Sequence, residues 1–483
     1  MALNFLNVII SVVVVVIALI YYKNVEVPPS DRLSDVLVGL IHLEKEYPLL
    51  LKPKVAIGYG ACKDLFVDGK NLLLFSSAAN EPEHIDDINN RDELLKTYAY
   101  FFRHGAAAER YMSNSTFFDE TVEIASKIPG AYYALGGNAP VMASRFFREG
   151  CDVLLAAKMT QELQKSLPNG MKVVGGEVAS DDIHLIMEYK AGEKWGPYVS
   201  PRANRFIVHN DDNNPLASSL ESFGSVLENF SPNLLVVSGL QMMDNYPFKP
   251  GAREERLAKI RDQMLSVSED TRVHFEMASF SEFDLMKQLV EYIVPYADSL
   301  GMNEQELPNL CNLLLHGKLT LVSDTNPRVA TVLDQMREVF RILSAHEGNG
   351  RQLTRLHVHT LAYQAIMTVH GSPWKLSEAA AAKASLTAHR HVCGSPEVDL
   401  SKSSLIMDDS FATSVASGSR RINFDNNKPV TCWQEELSLR KEGSDSKTAV
   451  VEVCIAPVLV CTKAKHTAGA GDNISSAGLV LQI

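Results

Sequence analysis

Near its C-terminus the chain reads "HTAGAGDNISSAGL", His466 to Leu479: two glycines, an aspartate and a run of small residues. Upstream, "VVEVCIAPVLVC" is a β-branched apolar run suited to a buried strand. Downstream, "DNISSAGLVLQ" has helical spacing with Asp and Asn at its start. The unit is strand, glycine turn, helix. Gly469 and Gly471 carry no side chain to keep a ligand from the backbone, and the first free N–H groups of a helix point out of its N-terminus. Gly469, Ala470 and Gly471 are therefore a candidate anion hole. A carboxylate at Asp472, in the first helical turn, is placed to take a proton from a hydroxyl attacking a bound phosphoryl group. The same pattern also suits a plain glycine connection with Asp472 as N-cap, and only the rest of the chain decides between the two.

The elements that must position such a turn are legible in outline. Arg32 to Tyr47 has helical periodicity, and Val55 to Tyr59 reads as a first core strand running into a turn that carries Asp64. "LLKTYAYFFRHGAAAERYM" (94–112) reads as one helix. Strand-like runs such as "DVLLAAKM", "RFIVHND", "NLLVVSGLQMM" and "RVHFEMASF" recur between helical segments. That rhythm predicts a mostly parallel sheet wrapped by helices, an α/β fold. "SEAAAAKASLTA" is a helix by propensity. The serine-rich stretch 401–418 and "KEGSDSK" at 441–447 read as loop or edge hairpin. In such sheets ligands collect at the carboxyl ends of strands. Asp64, Gly136, Gly137, Asn138, Gly239, Glu276, Asn303 and Glu306 are expected there with the glycine turn. Phosphoryl transfer needs an anion cradle, acids that hold Mg²⁺ through water and a base near the acceptor hydroxyl, and this set contains all three.

The 483 residues are 46% hydrophobic, enough for a large α/β domain plus a smaller one. A net charge of −12, from 46 basic against 58 acidic side chains, and the lack of a basic stripe argue against nucleic acid as a partner. Residues 5–22, "FLNVIISVVVVVIALIYY", are uncharged and precede Lys23. They suit the core of a signal peptide or a membrane anchor, and either directs the chain to the secretory pathway. Seven cysteines show no metal-binding spacing; an oxidising lumen permits one or two bridges and leaves at least one thiol over. Asn114 in "NST" is a candidate glycosylation site, Asn229 before "FSP" a weaker one, and at Asn473 a sugar would block the glycine turn.

The ordered set "ACKD", "GAAAER", "GGNA", "EYKAGEKWG", "ANRFI", "SGLQMM", "HFEMAS", "LGMNEQEL", "LHVHTL", "NKPV" and "HTAGAGD" resembles the ADP-dependent glucokinases, the vertebrate-type branch of the ribokinase-like superfamily. The likeness runs from about residue 52 to the C-terminus. It implies transfer of the β-phosphoryl of ADP to the 6-hydroxyl of glucose with Mg²⁺. On it, Asp472 is the general base, Gly469, Ala470 and Gly471 the anion hole, and Arg205 a phosphate-contacting arginine. Glu276 and Glu306, with Asp472, match acids that organise the metal, and Asn303 opens the second of those motifs. Asp64, Glu109, Gly137 and Asn138 fall at sugar-contacting positions. "AAAER" also reads as an amphipathic helix with an exposed Glu109, and His357 and His359, which share one face of a strand, read as packing residues. Gly60 departs from the pattern, which usually has asparagine there, and so removes a side-chain donor. His466 occupies a position that is basic in the vertebrate-type branch. The resemblance implies a ribokinase-like large domain with a parallel-rich sheet, assigned to 52–64, 136–176 and 216–483. A smaller β-rich lid is assigned to 65–135 and 177–215, residues 1–23 to the leader and 24–51 to a linker and helix. The expected partners are ADP and glucose, with membrane contact only through residues 5–22, and the chain is expected to act as a monomer.

Overall fold

The structure, a computed structural model, describes residues 29–48, 51–344, 350–439 and 447–483; the leader and most of "KEGSDSK" lie outside the described residues. A helix, Pro29–Glu46, precedes the first strand, β1 (Lys54–Gly58). Through Tyr59, Gly60 and Ala61 the chain passes directly into β2 (Cys62–Asp68), followed by β3 (Ala108–Tyr111), β4 (Tyr132–Gly136), β5 (Asp152–Ala156) and β6 (Lys172–Val174). Then come β7 (Ile183–Tyr189), β8 (Asn204–His209), β9 (Leu234–Val237), β10 (Arg272–Glu276) and β11 (Ser299–Asn303). The last long strands are β12 (Arg355–His359), β13 (Tyr363–Val369), β14 (Thr431–Leu439) and β15 (Lys447–Pro457), and the helix Ala470–Val480 closes the chain.

Ten strands form the large sheet in the order β14-β15-β13-β12-β11-β10-β9-β1-β5-β6. From β12 to β6 every neighbouring pair is parallel, and β13, β15 and β14 are added antiparallel. Parallel strands covered on both faces read as unbroken apolar runs rather than alternating ones, which is why "LLVV" in β9 is buried throughout. Its side chains still divide by the pleat: Leu234 and Val236 join one core with Val55 and Ile57 of β1, and Leu235 and Val237 join the other with Ala56.

Five strands form a second sheet in the order β3-β8-β7-β2-β4. Helices Arg91–Phe102 and Ser115–Ser126 supply its own core, built around Tyr98, Phe101, Phe102 and Phe206. This sheet begins at Cys62 and includes Gly136, past the expected edges at 65 and 135, so Asp64 sits within β2 and not in a turn. The expected single helix over 94–112 is also corrected. It stops at Phe102, where Gly105 takes φ +59° and Ala106 N–H turns back to Phe101 O, and Ala108–Tyr111 becomes strand β3 against β8. Helix propensity in "AAAER" yields there to cross-strand pairing.

Candidate functional site

The strand, glycine turn and helix at the C-terminus form as their residues dictate. Gly469 caps the helix Ala470–Val480 at φ +67°, a left-handed conformation open to glycine. Gly471 is needed for room, since a Cβ there would meet His359 Cε1 at 2.9 Å. Asp472 is buried in the first turn, and its Oδ1 accepts from Asn138 Nδ2 at 2.9 Å. Burial first, then the nearby charge of Glu276, pushes its carboxyl up to about 7 against the opposing pull of Asn138 and Arg205. Asn138 in turn accepts from Gln241 Nε2 at 2.6 Å and heads the helix that follows Gly137, itself at φ +90°.

The turn faces a cavity of about 670 Å³. One wall is made by the carboxyl ends of β10, β11 and β12, which deliver Glu276, Asn303 with Glu306, and His359. Glu276 Oε2 contacts His274 Nε2 at 2.8 Å, and its Oε1 accepts from Ser475 Oγ at 2.8 Å and lies 3.7 Å from His359 Nε2. Burial alone would raise its carboxyl, but the hydrogen bond with His274 and the proximity of His359 outweigh this and hold it at about 2. Glu306 accepts from Asn303 N–H and Nδ2, both at 2.8 Å, while Asn303 Oδ1 accepts from Glu306 N–H at 2.9 Å. This reciprocal cap starts the helix Glu306–His316. Burial pushes Glu306 up to about 7.

The opposite wall is the small sheet. Glu109 on β3 and Arg205 on β8 both line the cavity. Arg205 Nη1 donates to Asn204 Oδ1 at 3.1 Å, while its buried Nε has no partner. The two walls are joined beside the cavity by Thr467 Oγ1 donating to Glu188 Oε1 at 2.6 Å, by Arg202 Nη1 on Glu304 Oε1 at 2.6 Å, and by Ala107 N–H on Gln305 Oε1 at 3.2 Å. Burial raises Asp64, beside Cys62 Sγ at 3.2 Å, to about 6.

Ten of the expected residues therefore line one cavity: Glu109, Asn138, Arg205, Glu276, Asn303, Glu306 and Gly469 through Asp472. Asp64 and Gly137 do not line it. They lie behind Asn138 and Glu109, where a Cβ on Gly136 would overlap the Asp64 carboxylate and one on Gly137 would sit 3.2 Å from Ala61 Cα. The space opposite Gly60 is filled by Asn214. Its Oδ1 accepts from Ala61 N–H at 3.0 Å, and its Nδ2 donates to Ala61 O at 3.0 Å and to Asp211 at 2.7 Å. The two histidines divide between packing roles: His359, buried beside Glu276, is part of the cavity wall, whereas His357 is a core residue bonded to Gln364. His184 and Asp211, buried behind Glu109, were not singled out by sequence. The one signal is His184, a polar residue at a buried position of the otherwise apolar start of β7. The disulfides Cys393–Cys461 and Cys432–Cys454 leave Cys62, Cys151 and Cys311 as buried thiols.

A family model described as the ADP-specific phosphofructokinase/glucokinase conserved region matches residues 53–481. An ADP-dependent glucokinase of Bos taurus is 33% identical over 433 residues, covering 88% of this chain and 84% of the relative. A probable ADP-dependent glucokinase of Caenorhabditis elegans is 27% identical over the same shares of the two chains. Among solved structures, an ADP-dependent kinase in complex with fructose-6-phosphate and ADPβS has the same fold, with a TM-score of 0.63, 17% identity and coverage of 94% of this chain and 97% of that one. With a glycine turn, a buried aspartate and flanking acids gathered on one cavity of a ribokinase-like fold, the chain belongs to the ADP-specific phosphofructokinase/glucokinase family of sugar phosphotransferases.

Proposed function

We propose that this protein transfers the β-phosphoryl group of ADP to the 6-hydroxyl of glucose, giving AMP and glucose 6-phosphate. The observation that carries this is the position of Asp472, at the head of a buried helix whose free N–H groups face the cavity, with Asn138 fixing its carboxylate. The N–H groups of residues 470–472 meet the negative charge of the transferring group, and Arg205, whose Nε is buried without a partner, meets it from the opposite wall. Asp472 accepts the proton of the attacking hydroxyl. Glu109, with Asp64, Gly137 and Asn138 around it, forms the sugar end, and the small sheet acts as a lid that excludes water from the diphosphate.

The acids suit a divalent cation. Glu276, Glu306 and Asp472 are buried oxygen donors; burial first and then the charge of Glu276 raise Glu306 and Asp472, and a cation would relieve that repulsion. Among the described residues, the groups whose ligand atoms converge within 4.8 Å lie elsewhere, around His184. The acids on the cavity would therefore hold Mg²⁺ through water, as that ion's reluctance to dehydrate favours, with Asn303 fixing Glu306. When bound, the ion supplies charge neutralisation for the diphosphate.

The two disulfides support an oxidising compartment, and with residues 5–22 they favour the secretory pathway, with Asn114 exposed for glycosylation. Among the described residues no helix is long and apolar enough to cross a membrane, so membrane contact rests on residues 5–22. The test is glucose 6-phosphate and AMP formation by purified full-length protein with Mg²⁺, given ADP or ATP free of cross-contamination. Turnover with ADP and not ATP is expected; the reverse overturns the donor, and turnover only with another sugar overturns the acceptor, where Gly60 bears.

A further inference from the structure

Behind the sugar end lies a chain of buried charged groups that nothing in the phosphoryl-transfer reading uses. Asp211, fully buried just after β8, is flanked by two histidines: His184 Nε2 on β7 lies 2.9 Å from its Oδ2, and His209 Nδ1 lies 3.4 Å from its Oδ1. The other ring nitrogen of His184, Nδ1, lies 3.2 Å from Glu109 Oε1, and Glu109 lines the cavity. The remaining groups against this cluster are Cys62 and Asp64 on β2, and Asp182, whose carboxylate accepts from the N–H groups of Asp212, Asn213 and Asn214 and so fixes the loop that carries Asp211. Asn214, the residue that fills the space opposite Gly60, ties Asp211 back to Ala61.

We propose that Asp211 is a positioning residue for the sugar site, holding His184 as a doubly donating imidazolium that orients Glu109 and keeps it an ionised acceptor for a sugar hydroxyl. The inference rests on the reading of Glu109 as a sugar contact. A histidine with a carboxylate at each ring nitrogen must donate from both to satisfy both. The charges agree with this. Burial opposes a charge on His184, but Asp211 outweighs it and the imidazole is pushed well up. Burial would likewise raise Asp211 and Glu109, but the histidines hold both below their ordinary values. Glu109 Oε1 is thereby occupied, leaving Oε2 to accept from the ligand. Burial raises the neighbouring Asp64 to about 6, against the opposing pull of His184.

The test is steady-state kinetics of the full-length wild-type, Glu109→Gln, Asp211→Asn and His209→Gln proteins, with KM for glucose and for ADP measured separately between pH 5.5 and 8.5. Asp211→Asn leaves the volume intact but removes the charge on His184. It is expected to raise the glucose KM about tenfold or more, the cost of losing a charge-assisted contact, with the ADP KM and the fold unchanged. Glu109, left buried without a cation, ionises later, so the acid limb of kcat/KM for glucose moves to higher pH. His209→Gln is expected to have the smaller effect, since it acts one step further back. If Asp211→Asn does not fold, His184→Gln provides the same readout. Unchanged glucose KM and pH profile in Asp211→Asn, with Glu109→Gln impaired, overturns the positioning role alone. An unimpaired Glu109→Gln, or no glucose turnover by the wild type, overturns the sugar-site reading and this inference with it. Equal loss on both substrates with a lowered melting point reduces Asp211 to a structural role.

Discussion

Replacing Asp472 by asparagine separates its chemical role from its structural one. Asparagine keeps the shape and an oxygen for Asn138 Nδ2 but has no proton-accepting charge. As a general base Asp472 must be ionised, and its carboxyl is held at about 7. About one-eleventh is then ionised at pH 6 and about ten-elevenths at pH 8, so kcat/KM rises roughly tenfold between them. Asp472→Asn should cut kcat by about 10²–10⁴ and abolish that acid limb. Stability moves the other way. The folded carboxyl keeps its proton up to about pH 7, whereas the unfolded one releases it near 3.8, so the folded state binds more protons in that window and loses stability as pH rises through it. Above pH 7 the penalty is complete, about 4 kcal/mol from 1.36 kcal/mol per pH unit. The asparagine variant escapes it and should resist urea better than wild type at pH 8, with the difference gone by pH 4. Coupled AMP release and urea titrations at both pH values measure this. A variant that keeps a tenth of the wild-type rate, or that is less stable at pH 8, refutes the assignment of Asp472 as a buried base.

Arg205→Ala should raise the KM for ADP by about 10- to 100-fold, the range of a charge-assisted contact, while the glucose KM stays put; equal loss on both would mark a packing defect. Gly136→Ala places a methyl into the Asp64 carboxylate and should weaken glucose binding tenfold or more with ADP handling kept, as read by titration calorimetry; unchanged affinity would remove Asp64 from the sugar end. Serine at both Cys393 and Cys461 opens a bridge spanning 68 residues and should cost about 4 kcal/mol, against about 3 kcal/mol for the 22-residue span of Cys432–Cys454. Urea midpoints equal to wild type would show that neither bridge forms.

Those outcomes depend on features that differ in how openly the sequence declares them. The strand, glycine turn and helix were legible because their geometry is carried by backbone, a buried apolar run followed by two closely spaced glycines, of which one takes positive φ and the other packs against His359. The β9 strand was legible because four consecutive apolar residues between polar ends suit a doubly covered parallel strand. Glu109 was ambiguous for the opposite reason. "AAAER" is helical by propensity, and only its pairing with β8, a hundred residues away, makes it strand and turns Glu109 inward. The His184–Asp211 cluster was invisible because it is assembled from β2, β3, β7 and the loop after β8, and no local pattern links those four. Glu276 could be picked out as an acid at a strand's carboxyl end, but not that both its oxygens would face side chains from three other positions.

That engagement explains why the C-terminal segment is built of small residues. The helix Ala470–Val480 does more than present N–H groups: Ser475, one turn below Asp472, bonds Glu276, so Asp472 and Glu276 are positioned by one element. Gly478 lets the helix approach β12 closely, since a Cβ there would lie 3.1 Å from His357 Cε1. Just past the helix, Gln482 Oε1 accepts from Arg355 Nε at 2.7 Å, Arg355 donates to Ser299 Oγ at 3.0 Å, and Ser299 bonds His274 at 2.8 Å, which bonds Glu276. The acid is thus held from the middle of the helix directly and from its far end through three side chains. A bulkier residue at 475 or 478 would tilt the helix, and a tilt displaces the glycine turn, Asp472 and Glu276 together. The run "DNISSAGLVLQ" is small where it meets β10 and β12 and apolar where it meets the core, because one short helix must satisfy both the chemistry and the packing.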